Sequence, residues 1–180
     1  TVEGSIDAPL CYNQAGYWLK MALGEPVTTG VGPYTHTFTV SPTLKSAIIE
    51  NKLDYAGGTG NTFHKYRGNV CDGYSLSVAD GELVQKISFK GASFAKSATP
   101  YDATVTATTF KRVNFQDATM HIDGALQGCS AESINFDLKN NVETISAVGG
   151  NGEACMYSAG VVDMSGSIST IFKDDTFLTK

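Results

Sequence analysis

Side chains able to do covalent, metal or acid–base chemistry are scattered in this chain of 180 residues. The four cysteines, Cys11, Cys71, Cys129 and Cys155, form no Cys-x-x-Cys pair and stand at no zinc-finger spacing from a histidine. Neither dithiol redox chemistry nor a tetrahedral zinc site is signalled. They read as reduced thiols that pack like small apolar side chains. His36, His64 and His121 are equally separate, each within an alternating stretch that suits a strand surface or a satisfied core histidine. Carboxylate pairs such as Asp80 with Glu82, or Asp174 with Asp175, fall at turns or the terminus, where solvated charge is the ordinary state. The glycine-dense stretches Gly57-Gly58-Thr59-Gly60-Asn61 and Gly149-Gly150-Asn151-Gly152 lack the Lys-Ser/Thr of a phosphate loop and the third glycine of a dinucleotide fingerprint, so they read as surface loops. G-x-S-x-G, H-E-x-x-H and EF-hand patterns are missing from the sequence. No enzyme is expected, and no metal or cofactor.

Composition agrees with a folded chain. Apolar residues make up 42 % and charged residues 17 %, with five prolines, and the length is enough to bury a core without a second domain. One domain over residues 1–180 is expected. Apolar runs fall well short of the ~20 residues of a membrane span, so no membrane insertion is expected. The net charge of −5 argues against a surface that grips phosphate. No N-x-S/T sequon occurs, which fits a protein made in a cytosol. The chain begins at Thr1 with a strand pattern already under way, so it is expected to lack terminal segments of a longer protein.

The elements that must carry these residues are mostly strands. Val2, Ile6, Ala8 and Leu10 share one parity in an opening strand interrupted by Gly4. The period then changes: Ala15, Trp18, Leu19, Ala22 and Leu23 fall on one helical stripe. A helix over Asn13 to Leu23 follows, with Asn13 as its cap, Gly24 as its left-handed end and Pro26 barring continuation. From Tyr34 onward Thr35, Thr37 and Thr39 alternate with His36, Phe38 and Val40, a strand pattern.

Two hairpins are predicted. Tyr74, Leu76 and Val78 lead into Asp80-Gly81, and Leu83, Ile87 and Phe89 lead out, placing Val78 opposite Leu83 and Tyr74 opposite Ile87. The other face carries Ser75, Ser77, Glu82, Lys86 and Ser88. Ile134, Phe136 and Leu138 lead into Asn140-Asn141, with Ile145 and Ala147 leading out, and the like spacing suggests a duplicated unit. A last strand pair is expected over Cys155 to Val162 and Met164 to Phe172. There Ser165-Gly166-Ser167-Ile168 echoes Glu3-Gly4-Ser5-Ile6.

The order V-x-G-x-I-x-x-P-L, then G-Y-W-L-K-x-x-L-G, a glycine-rich loop, Y-T-H-T-F and a glycine-marked strand pair resembles the tail tube, or major tail, proteins of long-tailed bacteriophages and prophages. Val2 to Leu10, Gly16 to Gly24, Tyr34 to Phe38 and Lys65 to Phe94 carry the resemblance, and Gly128 to Phe172 carry it more loosely. It implies a mainly β fold, an antiparallel β-sandwich or barrel with one short flanking α-helix whose Ala15, Trp18, Leu19, Ala22 and Leu23 close the core. It also implies homo-hexameric rings stacked into a tube, a conduit for DNA delivery. Tape-measure and tail-terminator or tip proteins would be partners, and genomic double-stranded DNA would pass through without specific binding. The protein would assemble in the host bacterial cytoplasm and reside in the virion tail. With four strands from each of six units, the lumen wall would be roughly 45 to 50 Å across. The two hairpins would supply those strands, with Ser75, Ser77, Glu82, Asn135 and Asp137 facing the channel. The residues alone also fit a monomeric β-sandwich binding or adhesion module, or another phage tail component.

Overall fold

The computed structural model describes residues 1–55, 60–79, 81–114, 119–122, 125–127, 131–146 and 153–170. The elements in chain order are β1 (Val2–Pro9), α1 (Tyr12–Leu23), β2 (Val27–Thr29), β3 (Thr35–Thr37), β4 (Ser46–Asp54), β5 (Asn61–Ala79) and β6 (Glu82–Gly91). They continue as β7 (Ser93–Ser97), β8 (Met120–Ile122), β9 (Ala125–Gln127), β10 (Ala131–Lys139), β11 (Glu143–Ser146), β12 (Ala154–Ser158) and β13 (Asp163–Thr170). All described pairings are antiparallel, and the architecture is mainly β and sandwich-like with one short helix.

The main sheet runs β1-β6-β5-β10-β13. Its centre is the predicted hairpin, with Val78 opposite Leu83 and Tyr74 opposite Ile87. Gly81 supplies the left-handed turn residue at φ 79°; Asp80 lies outside the described residues. Strand β5 is 19 residues long because it serves two sets of partners. Its second half sits in the main sheet, while Asn61 to Val70 pair with β4 on one side and, from Phe63 to Arg67, with β7 on the other. Two irregularities mark the changeover. Gly68 is left-handed at φ 64°, and a bulge between Cys71 and Gly73 leaves Asp72 unpaired in the ladder. The blade formed by β4, β7 and the first half of β5 is tied further by Glu50, whose carboxylate accepts from the Tyr101 N–H at 2.7 Å and lies 3.8 Å from the buried Lys65 ammonium.

Helix α1 lies against the apolar face of this sheet. Ala22 joins Cys71, Tyr74, Ile87 and Phe89 in the buried core, and Trp18, Leu19 and Leu23 pack around them with Ile6, Ile49 and Leu76. The rings of Trp18 and Phe89 are 6.3 Å apart. Ala15 is half-buried on the same side. The helix starts one residue earlier than the pattern predicts, and its cap is Cys11 rather than Asn13. Cys11 is held by a backbone bridge to Arg112, and the Asn13 amide donates instead to the Thr109 carbonyl at 2.9 Å. Long-range backbone pairing has thus replaced a side-chain cap. The helix ends as predicted at Gly24, φ 108°, whose N–H donates to the Lys20 carbonyl at 3.0 Å. A Cβ there would come within 2.6 Å of Ser41 Cβ.

The second predicted hairpin does not form. Strand β10 pairs with β5 on one side and β13 on the other, while β11 pairs with β12. Asn140 is buried instead of turning: its side-chain N–H groups donate to the carbonyls of Ala22 at 2.9 Å and Cys71 at 3.0 Å. Its backbone N–H donates to the carbonyl of the bulged Asp72 at 2.7 Å, and the Asp72 carboxylate accepts from the Val142 N–H at 2.7 Å. The chain is therefore drawn off the β10 line. For the same reason the expected pairing of Cys155–Val162 with Met164–Phe172 is replaced, since each of those strands has taken another partner. Ala147 and residues 171–180 lie outside the described residues, as do the glycine stretch 149–152 and Gly57 to Thr59.

Candidate assembly face

Alternation along β5 and β10 places small polar side chains on one face, and the register brings them together. Ser77 pairs with Asn135 and Ser75 with Asp137. Asn135 in turn pairs with Ser167 and Asp137 with Ser165 on β13, and the Asn135 amide donates to the Ser167 hydroxyl at 3.4 Å. On the other flank Ser75 pairs with Lys86, which pairs with Asp7 on β1; Ser88 pairs with Ser5. Glu82 shares the alternation but sits at the hairpin end, where its carboxylate accepts from the Arg112 guanidinium at 2.8 Å. So Ser75, Ser77, Asn135 and Asp137 form one contiguous patch, and Glu82 is a rim residue paired to a cation. Ser5, Asp7, Ser165 and Ser167 belong to the same face and were not anticipated. The signal was present in the echo of Glu3-Gly4-Ser5-Ile6 by Ser165-Gly166-Ser167-Ile168.

The opposite face is apolar. Helix α1 covers its centre, but towards β13 the cover stops: Phe136, Met164 and Ile168 are 37 %, 54 % and 57 % exposed. At the β1 end a cleft of about 430 Å³ is lined by Val2, Ile6, Ile49 and Phe89 together with polar groups that include Glu3, Glu50, Asn51 and Asn69. The outer edges of β1 and β13 have no strand partner among the described residues.

Two titratable groups in the core are held protonated by burial. Burial pushes the Cys71 thiol up to about 12, with the neighbouring Asp72 charge adding to it, and burial pushes the Tyr74 phenol up to about 12 as well. A thiol so raised is protonated and a poor nucleophile at neutral pH. The Tyr74 hydroxyl donates to the fully buried Gln85 carbonyl oxygen at 3.4 Å, a core contact rather than a proton relay. Among the described residues no group of three or more His, Cys, Asp or Glu is placed to hold a metal ion. Likewise, among them no helix is long and apolar enough to cross a membrane.

A broad sheet with a polar face, a half-covered apolar face and two edges without a strand partner among the described residues defines a mainly β protein of the sandwich-like type. The family model described as phage tail tube protein matches residues 1–180, and the chain belongs to that family. It is a structural protein of the virion tail that assembles with itself into a tube. No curated protein matches the chain.

Proposed function

We propose that six copies close into a ring through the edges of the main sheet, and that the rings stack into a tube whose lumen is lined by the polar face. The observation that carries this reading is the register that gathers Ser75, Ser77, Asn135 and Asp137 with Ser5, Ser165 and Ser167 across the five strands between the two open edges. Closing a sheet into a barrel removes its edges, and one face then lines the interior. The wall would take five strands per copy rather than four, because β1 and β13 extend the face. At ~4.8 Å per strand and a tilt of 30–40°, six copies give a backbone diameter of roughly 50 to 60 Å, wide enough for a DNA duplex.

In this reading the lumen wall lets double-stranded DNA slide during delivery to the host. Lys86 and Lys139 on this face pair in register with Asp7 and Asp163, which leaves little free positive charge to replace the counterions of the duplex, so affinity stays low. Tape-measure and terminator or tip proteins meet the tube at its inside and ends, assembly takes place in the host cytoplasm, and the role is structural rather than catalytic.

Electron microscopy of the purified protein tests the ring: six-fold rings or tubes are expected, and persistent monomers under assembly conditions contradict it. Ser77→Cys and Asp137→Cys, labelled in intact tubes with a maleimide too bulky for the lumen, test the face. Protection is expected, and ready modification places both residues outside.

A further inference from the structure

The two edge strands carry the same pattern on the same faces. Val2-Glu3-Gly4-Ser5-Ile6 lies on β1 and Met164-Ser165-Gly166-Ser167-Ile168 on β13, near opposite ends of the chain. In each, the glycine faces a phenylalanine on the next strand in: Gly4 pairs with Phe89 and Gly166 with Phe136. Neither glycine is left-handed. At Gly4 an added Cβ would meet nothing within 4 Å, whereas at Gly166 it would come 3.2 Å from the Asn135 carbonyl oxygen within the same chain. Among the described residues nothing requires glycine at position 4, although it weakens a strand relative to a residue with a side chain. A glycine inside a strand often marks the close approach of another backbone.

The direction of the strands says how that approach is made. Four successive antiparallel pairings, β1-β6, β6-β5, β5-β10 and β10-β13, leave β1 and β13 pointing the same way. A second copy, rotated about an axis on the polar side, lays its β1 parallel to β13 of the first. We infer that these strands join in a parallel pair with Gly4 of one copy beside Gly166 of the next, so that the exposed apolar edge of one copy lies against Val2, Ile6 and Phe89 in the cleft of its neighbour.

This inference rests on the ring reading and specifies its joint. In that register Val2 lies beside Met164, Ile6 beside Ile168 and Ser5 beside Ser167. Apolar residues meet on one face and hydroxyls on the other. The facing glycines leave a trough two strands wide between Phe136 of one copy and Phe89 of the next, whose strands stand three spacings, about 14 Å, apart. The half-exposed Phe136 ring fills it, in the manner of an aromatic leaning over a strand glycine. A slip of two residues sets a glycine beside Ile6 or Ile168, and a slip of one puts Ser or Glu on the apolar side.

The register also closes sensibly. Following paired residues straight across one copy leads from Ser5 through Ser88, Gly73 and Lys139 to Asp163. Since the joint sets Ser5 beside Ser167, each copy advances the ladder by roughly four residues, and six copies give a strand tilt of roughly 30°.

The test uses Ser5→Cys with Ser167→Cys in a Cys129→Ser, Cys155→Ser background. Neighbouring parallel strands hold Cα atoms at a spacing a disulfide can bridge. Mild oxidation of assembled tubes is expected to give ladders of covalent oligomers, whereas Ser5→Cys with Ser165→Cys or with Ser169→Cys gives little. Tubes that form normally but cross-link best in a slipped pair overturn the register while leaving the tube intact; protein that forms no tubes overturns the tube reading itself. In a second variant, Gly4→Val, the monomer is expected to melt as the native chain does but to lose ring formation. Normal rings from Gly4→Val overturn the glycine-to-glycine joint.

Discussion

The side-chain amide of Asn140 reaches the last buried turn of the helix, donating to the Ala22 carbonyl at 2.9 Å across 118 positions of sequence. The same nitrogen donates to the Cys71 carbonyl, so one residue closes the helix, the strand bulge and the end of β10 together. Buried carbonyls left without donors are costly.

We predict that Asn140→Ala destabilises the protein by roughly 2 to 4 kcal/mol, the scale of two buried hydrogen bonds and the carbonyls they satisfy. Asn140→Asp is worse, because it turns a carboxylate towards two carbonyl oxygens. Urea unfolding of the unassembled protein checks this; unchanged midpoints would mean that the tie contributes nothing.

Trp18→Ala is predicted to cost about 2 to 4 kcal/mol, a little under the range for a fully buried tryptophan because the residue is only partly buried. Trp18→Phe should cost much less. The indole Nε1 has no hydrogen-bond partner among the described residues, so the phenyl ring forfeits packing but no bond. Thermal melts of both variants separate packing from hydrogen bonding.

Alkaline pH should unfold the chain through its core. The Cys71 thiol is raised from 9.0 to about 12 and the Tyr74 phenol from 10.0 to about 12, so above pH 9 the unfolded chain releases protons that the folded chain keeps. Stability falls as pH rises whenever the folded state binds more protons. The loss begins near pH 9 and continues towards about 12, and Cys71→Ala should shift its onset up towards the ordinary tyrosine value. Thiol titration gives an independent reading: exposed Cys155 reacts rapidly with a maleimide in the native protein, whereas Cys71 reacts only on unfolding.

Charge on the polar face should govern DNA passage. Ser75→Lys with Ser77→Lys, repeated around a ring, would line the lumen with cations, and we predict tubes that retain double-stranded DNA at low salt and release it steeply as salt rises. Native tubes should retain little at either salt. Equal retention by both, measured by filter binding, would remove the polar face from the lumen.

Much of this was legible locally. A two-residue turn fixes the β5–β6 register, and alternation outward from it already separates Ser75 and Ser77 from Tyr74 and Leu76. The helix stripe was equally plain, since its period differs from that of the strands around it. Asn140-Asn141 misled because Asn is a turn residue and Asn141 does adopt φ 48°, but the groups that capture Asn140 lie on α1 and β5, far away in sequence. The width of the sheet was hidden for the same reason. β1 and β13 join it by long-range pairing, and only the repeated Gly-Ser-Ile hinted that both were edges.

Strand β5 has a mechanical consequence. Its 19 residues run without a loop from the β4–β7 end into the main sheet, and the changeover is clamped at Asp72 by Asn140 and Val142 rather than left to swivel. A load on β4 and β7 thus reaches the main sheet through covalent backbone and ladders of hydrogen bonds pulled together. The subunit would behave as a bracket with a stiff corner: neighbours that press on its blade can bend the tube only by shearing whole strands past one another.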